Sequence, residues 1–306
     1  MEVGLSIPLG VDIEFNEACN ASCVICPVSI NPRRKNKFMS EQDSDLLFKK
    51  LSEYQNLRFL SFSIFNEPLL DPLFKTRIKQ LRKYNLYDIL NFHTNGTILN
   101  KDVTDFLKDG DMQMVQFNFP SMYETEWSEY MGMHKKFYKQ TLENMRYFAK
   151  VHNNVKIKIE PNIELSGDES KLNQQRQLFH QFIIDNFSPY STNIDLYFGP
   201  RVNQAGNIVN EHVIEPEKSR KLTHTYCSLY RLLNSLTIDY DGSCRLCCKD
   251  YHKQYLLGNI LTNSIEDIMM STESQRLISQ IYGSNLKDKD LLCNNCTHFL
   301  SINEET

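Results

Sequence analysis

Residues 11–26 of the chain read VDIEFNEACNASCVIC, and this stretch carries the strongest signal for the fold. It begins as an apolar strand and continues as a loop in which Cys19, Cys23 and Cys26 form a C-x3-C-x2-C pattern. Three thiolates at this spacing can hold three irons of a cubane iron–sulfur cluster, and the fourth iron then lacks a protein ligand. The alternatives for the bare motif are chance and a zinc site completed by a histidine, although the next histidine is His93.

Strand-like and helix-like segments alternate from the cysteine motif to about residue 200. The strand candidates are 11–15, 59–65, 89–93, 115–119, 155–160 and 194–197. The helix candidates are a segment that begins after Ser40, 72–84, 102–108, 137–152 and 169–187. Six such units favour a parallel α/β sheet, either open or curled into a partial (β/α)6 barrel, because a closed eight-stranded barrel needs about 250 residues. The cysteine loop then lies at the carboxyl end of the first strand, where ligand sites gather in such folds.

The character of the chain changes after residue 200. Residues 236–246 predict a hairpin with an Asp-Gly turn, and a short helix is predicted to begin at Ser264. We therefore predict an α/β domain over residues 1–210 and a small C-terminal domain over residues 211–306.

Composition narrows the classes of function. The net charge of −4 gives no electrostatic basis for binding nucleic acid. No apolar run approaches the roughly 20 residues that a membrane span needs, and the first residues lack the features of a signal peptide. We expect a cytoplasmic protein with neither nucleic-acid nor membrane partners.

The nine cysteines form two groups, and in a reducing cytosol such groups bind metal more often than they form disulfides. The C-terminal group is Cys227, Cys244, Cys247, Cys248, Cys293 and Cys296. Its spacing alone is typical of a zinc ribbon, with one C-x2-C pair at 244–247 and another at 293–296.

Taken in order, the cysteine motif and the ends of the next three strands resemble the radical S-adenosylmethionine (SAM) superfamily. Residues 65–69 read FNEPL and are similar to the family's G-G-E-P-L segment, although both glycines are replaced. Residues 93–97 read HTNGT and resemble its T-N-G segment, and residues 118–121 read NFPS where the family often has S-x-D-G. Ile25 stands where an aromatic residue is common.

The resemblance implies a role for residues in each segment. Glu67 would contact the amino group of SAM, Thr94 and Asn95 would lie at the SAM-binding edge, and Asn118 or Ser121 would reach the ribose. The three N-terminal cysteines would hold a [4Fe–4S] cluster whose open iron chelates SAM. One electron from an external flavodoxin- or ferredoxin-like donor would then lead to a 5′-deoxyadenosyl radical that abstracts hydrogen from a substrate.

The C-terminal group resembles the auxiliary-cluster modules of this superfamily, the SPASM and twitch domains. Cys227-x14-Gly242-x4-Cys247 matches their C-x9–15-G-x4-C signature, and a C-x2-C pair closes the chain. The resemblance implies one auxiliary [4Fe–4S] cluster bound by Cys227, Cys247, Cys293 and Cys296, and therefore two clusters in all. Too few cysteines remain for the full seven-cysteine SPASM pattern.

We assign possible roles to three further residues, Cys244, Cys248 and Arg201. Cys244 is expected to be a core thiol, whereas Cys248, beside a predicted ligand, can donate a hydrogen atom to a substrate radical. Arg201 lies in a stretch that resembles R-x-x-x-x-G-N in related enzymes and can bind a polar substrate, although an interdomain arginine is an equal alternative.

The leading hypothesis is an oxidoreductase that oxidises an aminocyclitol- or sugar-like substrate, because family members of this layout with one auxiliary cluster include such an enzyme. The alternatives are epimerisation or cross-linking of a ribosomally made peptide, and a non-catalytic protein that binds a cluster or zinc.

Overall fold

The computed structural model describes residues 10–33, 37–54, 56–161, 169–191, 193–198, 202–213, 225–283 and 288–301. Within them a nine-stranded sheet has the order β10-β9-β8-β1-β2-β3-β4-β5-β6. Its strands are β1 (Gly10–Ile13), β2 (Phe59–Ser61), β3 (Leu90–Thr94), β4 (Met114–Asn118), β5 (Lys156–Glu160), β6 (Ile194–Leu196), β8 (Ser235–Ile238), β9 (Ser243–Arg245) and β10 (Leu256–Asn259). Two further strands, β7 (Thr225–Cys227) and β11 (Phe299–Ser301), pair with each other in a small antiparallel sheet.

Strands β1 to β6 are parallel at every step, which confirms the predicted α/β class with a parallel sheet. The described helices are α1 (Pro27–Ile30), α2 (Glu41–Ser52), α3 (Phe74–Lys83), α4 (Lys101–Leu107), α5 (Glu124–Met131), α6 (Lys136–Val151), α7 (Glu169–Phe187), α8 (Ile265–Met269) and α9 (Thr272–Tyr282). Neither α5 nor α9 was among the helices expected from the sequence.

Polar residues begin several helices as the sequence predicts. The hydroxyl of Ser40 accepts a hydrogen bond from the backbone N–H of Asp43 at 3.0 Å, which caps α2. Ser264 and Asp267 form a reciprocal capping box at the start of α8. These caps satisfy backbone groups that have no partner within the helix and so determine where each helix begins.

The core lies between the parallel sheet and its helices. All four residues of β1 are buried, and Val115 and Phe117 of β4 are almost fully removed from solvent. Met145 and Phe148 of α6 are buried, and the ring of Phe148 lies 5.8 Å from that of Phe117 in β4. Burial of each such side chain contributes roughly 1.5–3 kcal/mol to folding, so the sheet is a rigid base for the loops at its edge.

The C-terminal part of the chain extends the same sheet. Strand β8 pairs with β1 in parallel register, from Gly10 opposite Ser235 to Ile13 opposite Ile238, and β9 and β10 continue antiparallel. The turn between β8 and β9 contains Gly242 at a φ of +79°, where an added Cβ would lie 2.6 Å from Leu261. The Asp-Gly hairpin is therefore confirmed, and β8 places the C-terminal cysteines beside β1 and its cysteine loop.

Every helix in the described part of the chain is too short or too polar to traverse a lipid bilayer.

Candidate active site

A cavity of about 370 Å³ lies at the carboxyl ends of the parallel strands. Its wall combines residues from the N-terminal cysteine loop, from the ends of β2 to β5 and from the C-terminal part of the chain. Those that bear on function are Cys19, Cys23, Cys26, Glu67, Thr94, Asn95, Asn118, Arg231, Cys248 and Lys249. Segments far apart in sequence therefore share one ligand-sized space.

The cysteine loop is held against α5. The backbone N–H of Ser22 donates to the carbonyl of Met131 at 2.9 Å, and that of Val24 donates to the carbonyl of Tyr130 at 3.0 Å. Gly132 ends α5 at a φ of +58°, and a Cβ there would lie 2.6 Å from the carbonyl oxygen of Ser22. A side chain at this position would push the loop away from the helix.

The three cysteines of the loop are half-buried and line the same cavity. Burial raises the pKa of Cys19 to about 12 and that of Cys26 to about 11. Burial also raises the pKa of Cys23 well above its usual value, and its two cysteine neighbours add to the effect. Thiolates at such a site need a compensating cation, and an all-sulfur donor set suits iron–sulfur chemistry.

Across the described residues, no three His, Cys, Asp or Glu side chains converge closely enough to hold a single metal ion. A cubane cluster does not require such convergence, because each cysteine binds a different iron. The donor set at the N-terminal loop therefore fits a cluster.

Glu67 ties the ends of two strands together. Its buried carboxylate accepts hydrogen bonds from the Thr94 hydroxyl at 2.7 Å, from the backbone N–H of Asn95 at 2.8 Å and from that of Leu69 at 3.2 Å. Burial raises the pKa of Glu67 to about 7. The carboxylate predicted to contact SAM thus also joins the segment after β2 to the segment after β3.

A second set of hydrogen bonds joins the cysteine loop to the end of β3. The side-chain amide of Asn95 donates to Oδ1 of Asn20 at 2.7 Å, and the amide of Asn20 donates to the hydroxyl of Thr97 at 2.8 Å. The T-N-G segment and the cysteine motif, separate in sequence, therefore form one connected wall of the cavity.

The two candidates for the ribose contact lie in different surroundings. Asn118 ends β4 and lines the cavity, with its amide nitrogen 3.7 Å from the sulfur of Cys23. Ser121 does not line it, and its hydroxyl donates to Glu126 in α5 at 2.7 Å. The geometry therefore favours Asn118 over Ser121. Ile25, the departure from the family's aromatic residue, also lines the cavity.

A second, smaller cavity gathers five of the six C-terminal cysteines, namely Cys227, Cys247, Cys248, Cys293 and Cys296. Burial and the neighbouring thiols, Cys248 first, raise the pKa of Cys247, and burial raises that of Cys293. Cys244 lies outside this group, fully buried in the core with its thiol 3.7 Å from the carbonyl oxygen of Gly242. The zinc-ribbon alternative, which requires Cys244, is not supported by this geometry.

Residues of the C-terminal part connect the two cavities. Cys248, Lys249 and Arg231 each line both. Cys248 therefore lines the cavity of the N-terminal cysteines as well as that of the C-terminal ones. Arg201 is outside the described residues.

Several polar lining residues were not anticipated from the sequence. Arg231, Lys249, Asp12, His93, Gln116 and Glu160 all face the larger cavity. Burial, followed by the charge of Lys158, lowers the pKa of His93 to about 4, so its imidazole is neutral at physiological pH. The sequence signal for His93 is its position next to Thr94, and that for Lys249 is its position next to Cys248. Arg231 has a weaker signal of the same kind, because it follows Cys227 by four positions.

A buried ionic network lies beneath the cysteine loop. Glu14, just after β1, accepts hydrogen bonds from Arg33 at 2.6 Å, from Arg245 of β9 at 2.8 Å and from the backbone N–H of Phe65 at 2.9 Å. Arg245 also pairs with Asp239 at 3.1 Å. The network connects the first strand, the segment after the cysteine loop and the C-terminal hairpin.

Two family models match the chain. The model of the radical SAM superfamily matches residues 13–160, and that of the iron–sulfur cluster-binding SPASM domain matches residues 227–297. Together they include both groups of cysteines, all the predicted SAM-binding residues and most of the cavity wall. No curated protein sequence matches the chain.

The solved structures with a similar fold include BtrN, SuiB and anSMEcpe. BtrN in complex with AdoMet and 2-DOIA is 15% identical, with 97% of this chain and 94% of that chain covered and a TM-score of 0.60. Streptococcus suis SuiB bound to the precursor peptide SuiA is 12% identical, with 95% and 70% covered and a TM-score of 0.61. Native anSMEcpe with AdoMet and the Cp18Cys peptide is 15% identical, with 96% and 89% covered and a TM-score of 0.60. At these identities the likeness shows the shared fold.

Proposed function

Because the chain belongs to the radical SAM superfamily and carries a SPASM domain, we propose that this radical SAM enzyme oxidises a small polar substrate, such as an aminocyclitol or a sugar. The observation that carries the proposal is the shared cavity. Four of the five predicted SAM-binding residues line this cavity, together with three residues of the C-terminal part, Arg231, Cys248 and Lys249. A substrate between them would lie close to both groups of cysteines.

In this proposal each cysteine group holds one [4Fe–4S] cluster. Cys19, Cys23 and Cys26 bind the cluster that works with SAM, and the four ligands of the auxiliary cluster are Cys227, Cys247, Cys293 and Cys296. When bound, SAM and the first cluster supply hydrogen-atom abstraction from an unactivated C–H bond. The electron for this chemistry comes from an external flavodoxin- or ferredoxin-like donor.

The chain's own residues bind and orient the reactants. Thr94, Asn95 and Asn118 line the SAM side of the cavity, where Glu67 holds the first two in place. Backbone hydrogen bonds to α5 hold the cysteine loop in place at this side of the cavity.

The polar lining supports a small, hydroxylated or amine-bearing substrate. Glu160 and Asp12 offer carboxylates that accept hydrogen bonds from hydroxyl or ammonium groups, and Gln116 and Lys249 offer donors. The volume lies near the lower end of the roughly 300–1,000 Å³ typical of ligand pockets, and SAM would occupy part of it. BtrN, which has the same fold, was solved with 2-DOIA.

The test is a product assay with anaerobically reconstituted enzyme, a reductant, SAM and a panel of aminocyclitols and sugars. We expect one member to yield a ketone together with one equivalent of 5′-deoxyadenosine. After hydrogen abstraction, the substrate radical would give its remaining electron to the auxiliary cluster and a proton to solvent. The matched control is the variant in which Cys19, Cys23 and Cys26 are all alanine, which should form neither product. Turnover of peptides alone, with every polyol inert, would refute the proposed substrate class.

The position of Cys248 favours a second candidate, the modification of a ribosomally made peptide by epimerisation or cross-linking. This thiol lines both cavities, as a hydrogen donor to a substrate radical would. SuiB and anSMEcpe, which share the fold, were solved with peptides. An epimerase in D2O would give product with one carbon-bound deuterium, and Cys248→Ala would abolish formation of this deuterated product. A dehydrogenase would incorporate none, and the same variant would retain most of its activity.

A further inference from the structure

Arg231 occupies the boundary between the two cavities. It lines the larger cavity at the end of the sheet and also the smaller one that gathers the C-terminal cysteines. Its side chain is 25% exposed, so its charge is only partly screened by solvent. A guanidinium stays protonated throughout the physiological range, and Arg231 therefore contributes a permanent positive charge here.

The backbone around Arg231 is strained in a way that fixes its position. Tyr230 and Leu232, on either side of it, have φ values of +51° and +65°, which residues with a Cβ rarely adopt. The hydroxyl of Tyr282 in α9 donates to the carbonyl oxygen of Arg231 at 2.6 Å. Such strain persists only when the surrounding structure imposes it, and it is common at functional sites.

Within the part of the chain that the structure describes, the guanidinium pairs with one carboxylate and shares the smaller cavity with several cysteines. Nη1 donates to Oδ2 of Asp12 in β1 at 2.8 Å. The thiol of Cys248 raises the pKa of Arg231 most, and Asp12, Cys247 and Cys227 add to that effect. Arg231 lines the smaller cavity together with Cys227 and Cys247, so its charge lies beside two proposed cluster ligands. Among the described residues, Asp12 is the carboxylate that pairs with it.

We infer that Arg231 raises the reduction potential of the auxiliary cluster by holding a positive charge beside Cys227 and Cys247, and that Asp12 moderates this effect. The inference rests on the proposed function, because it takes these cysteines as ligands of a second cluster. A fixed positive charge stabilises the reduced form, which carries one more electron than the oxidised form. Arg231 thus acts on the cluster through its fixed positive charge and is not one of its ligands.

The experiment is a redox titration of fully loaded protein, followed by electron paramagnetic resonance. The two clusters are told apart because SAM alters the signal only of the cluster with an open iron. Arg231→Met should lower the ratio of reduced to oxidised auxiliary cluster at least tenfold at a fixed potential, or about 59 mV for a one-electron couple. Arg231→Lys, which keeps the charge, should stay near wild type, and Asp12→Asn should shift the potential in the opposite direction.

The matched control is Arg276→Met, which removes an exposed arginine of α9 that pairs with Glu273. The inference would be overturned if Arg231→Met protein with wild-type iron content had an unchanged reduction potential of the auxiliary cluster. It would also be overturned if Arg231→Lys lowered that potential as much as Arg231→Met does. If Arg231→Met protein does not bind iron, the test depends on Asp12→Asn. An unchanged reduction potential of the auxiliary cluster in Asp12→Asn would overturn the inference. Wild-type protein with only the SAM-responsive cluster would instead refute the assignment of a second cluster.

Discussion

The backbone N–H of Asn95 donates a hydrogen bond to Oε2 of Glu67 at 2.8 Å, which ties the segment after β3 to the segment after β2. The same carboxylate accepts the hydroxyl of Thr94. A residue expected to serve as a ligand contact therefore also builds the surface on which SAM would lie. Any substitution of Glu67 tests both roles at once.

Glu67→Ala should weaken SAM binding roughly tenfold to a hundredfold, because a charged acceptor hydrogen bond is worth about 1.5–3 kcal/mol. Loss of the tie to Asn95 and Thr94 should also lower the free energy of unfolding. SAM affinity is measured by calorimetric titration of loaded protein, and stability by urea unfolding. Glu129→Ala, on the exposed face of α5, is the control and should change neither. Wild-type SAM affinity in Glu67→Ala would remove this residue from the SAM site.

Anaerobically purified protein should contain roughly eight iron atoms per chain, from two four-iron clusters. Replacing Cys19, Cys23 and Cys26 together by alanine should leave about half of that iron, because the C-terminal cysteines line a separate cavity. Cys244→Ala serves as the control and should keep the full amount, since its thiol lies outside both cavities. Stoichiometric zinc together with half the iron would contradict the auxiliary cluster.

Arg245→Met should lower the free energy of unfolding by about 3–5 kcal/mol, because it removes one of the two cationic partners from each of two buried carboxylates and leaves Glu14 with Arg33 and Asp239 with Lys253. Arg245 is fully buried and pairs with Glu14 at 2.8 Å and Asp239 at 3.1 Å. Urea unfolding of loaded protein measures the change. Arg276→Met, at an exposed ion pair worth at most about 1 kcal/mol, is the comparison. Equal effects of the two substitutions would mean that the buried network contributes little.

The neutral His93 should make stability depend on pH. Burial lowers its pKa to about 4 from an ordinary 6.5, so below pH 6.5 the unfolded chain binds a proton that the folded chain does not. The stabilisation from this group is complete above pH 6.5 and is lost as the pH falls towards 4, by up to about 3 kcal/mol. The charge of Lys158 lowers the pKa of His93 further.

His93→Gln should remove this contribution. For the wild type and for the variant, the free energy of unfolding is measured at pH 7.5 and at pH 5.5, and the change between the two pH values is compared. Both proteins are loaded with iron, so that any acid loss of iron affects the two equally. The wild type should lose more stability than the variant at the lower pH. His134→Gln, at an exposed histidine, is the control and should follow the wild type. Parallel losses in wild type and His93→Gln would show that the imidazole is not shielded in the fold.

The local sequence was sufficient to predict the six parallel strands, the caps at Ser40 and Ser264 and the cysteine loop after β1. Each of these depends on a short pattern: an apolar strand, a polar residue that caps a helix, or thiols spaced three and four positions apart. The roles proposed for Thr94 and Asn95 also came from short segments, and both residues do line the cavity.

Only the tertiary structure decided which distant residues share the site. The parallel pairing of β8 with β1, from Gly10 opposite Ser235 to Ile13 opposite Ile238, brings Arg231 and Cys248 to the cavity, and no local pattern encodes a pairing across that separation. Long-range packing likewise buries Cys244 and turns Ser121 towards Glu126 in a helix that the sequence did not reveal. A local motif specifies a residue's chemistry, whereas its partners depend on which distant segments gain enough burial and hydrogen bonding to offset the entropy of closing the chain between them.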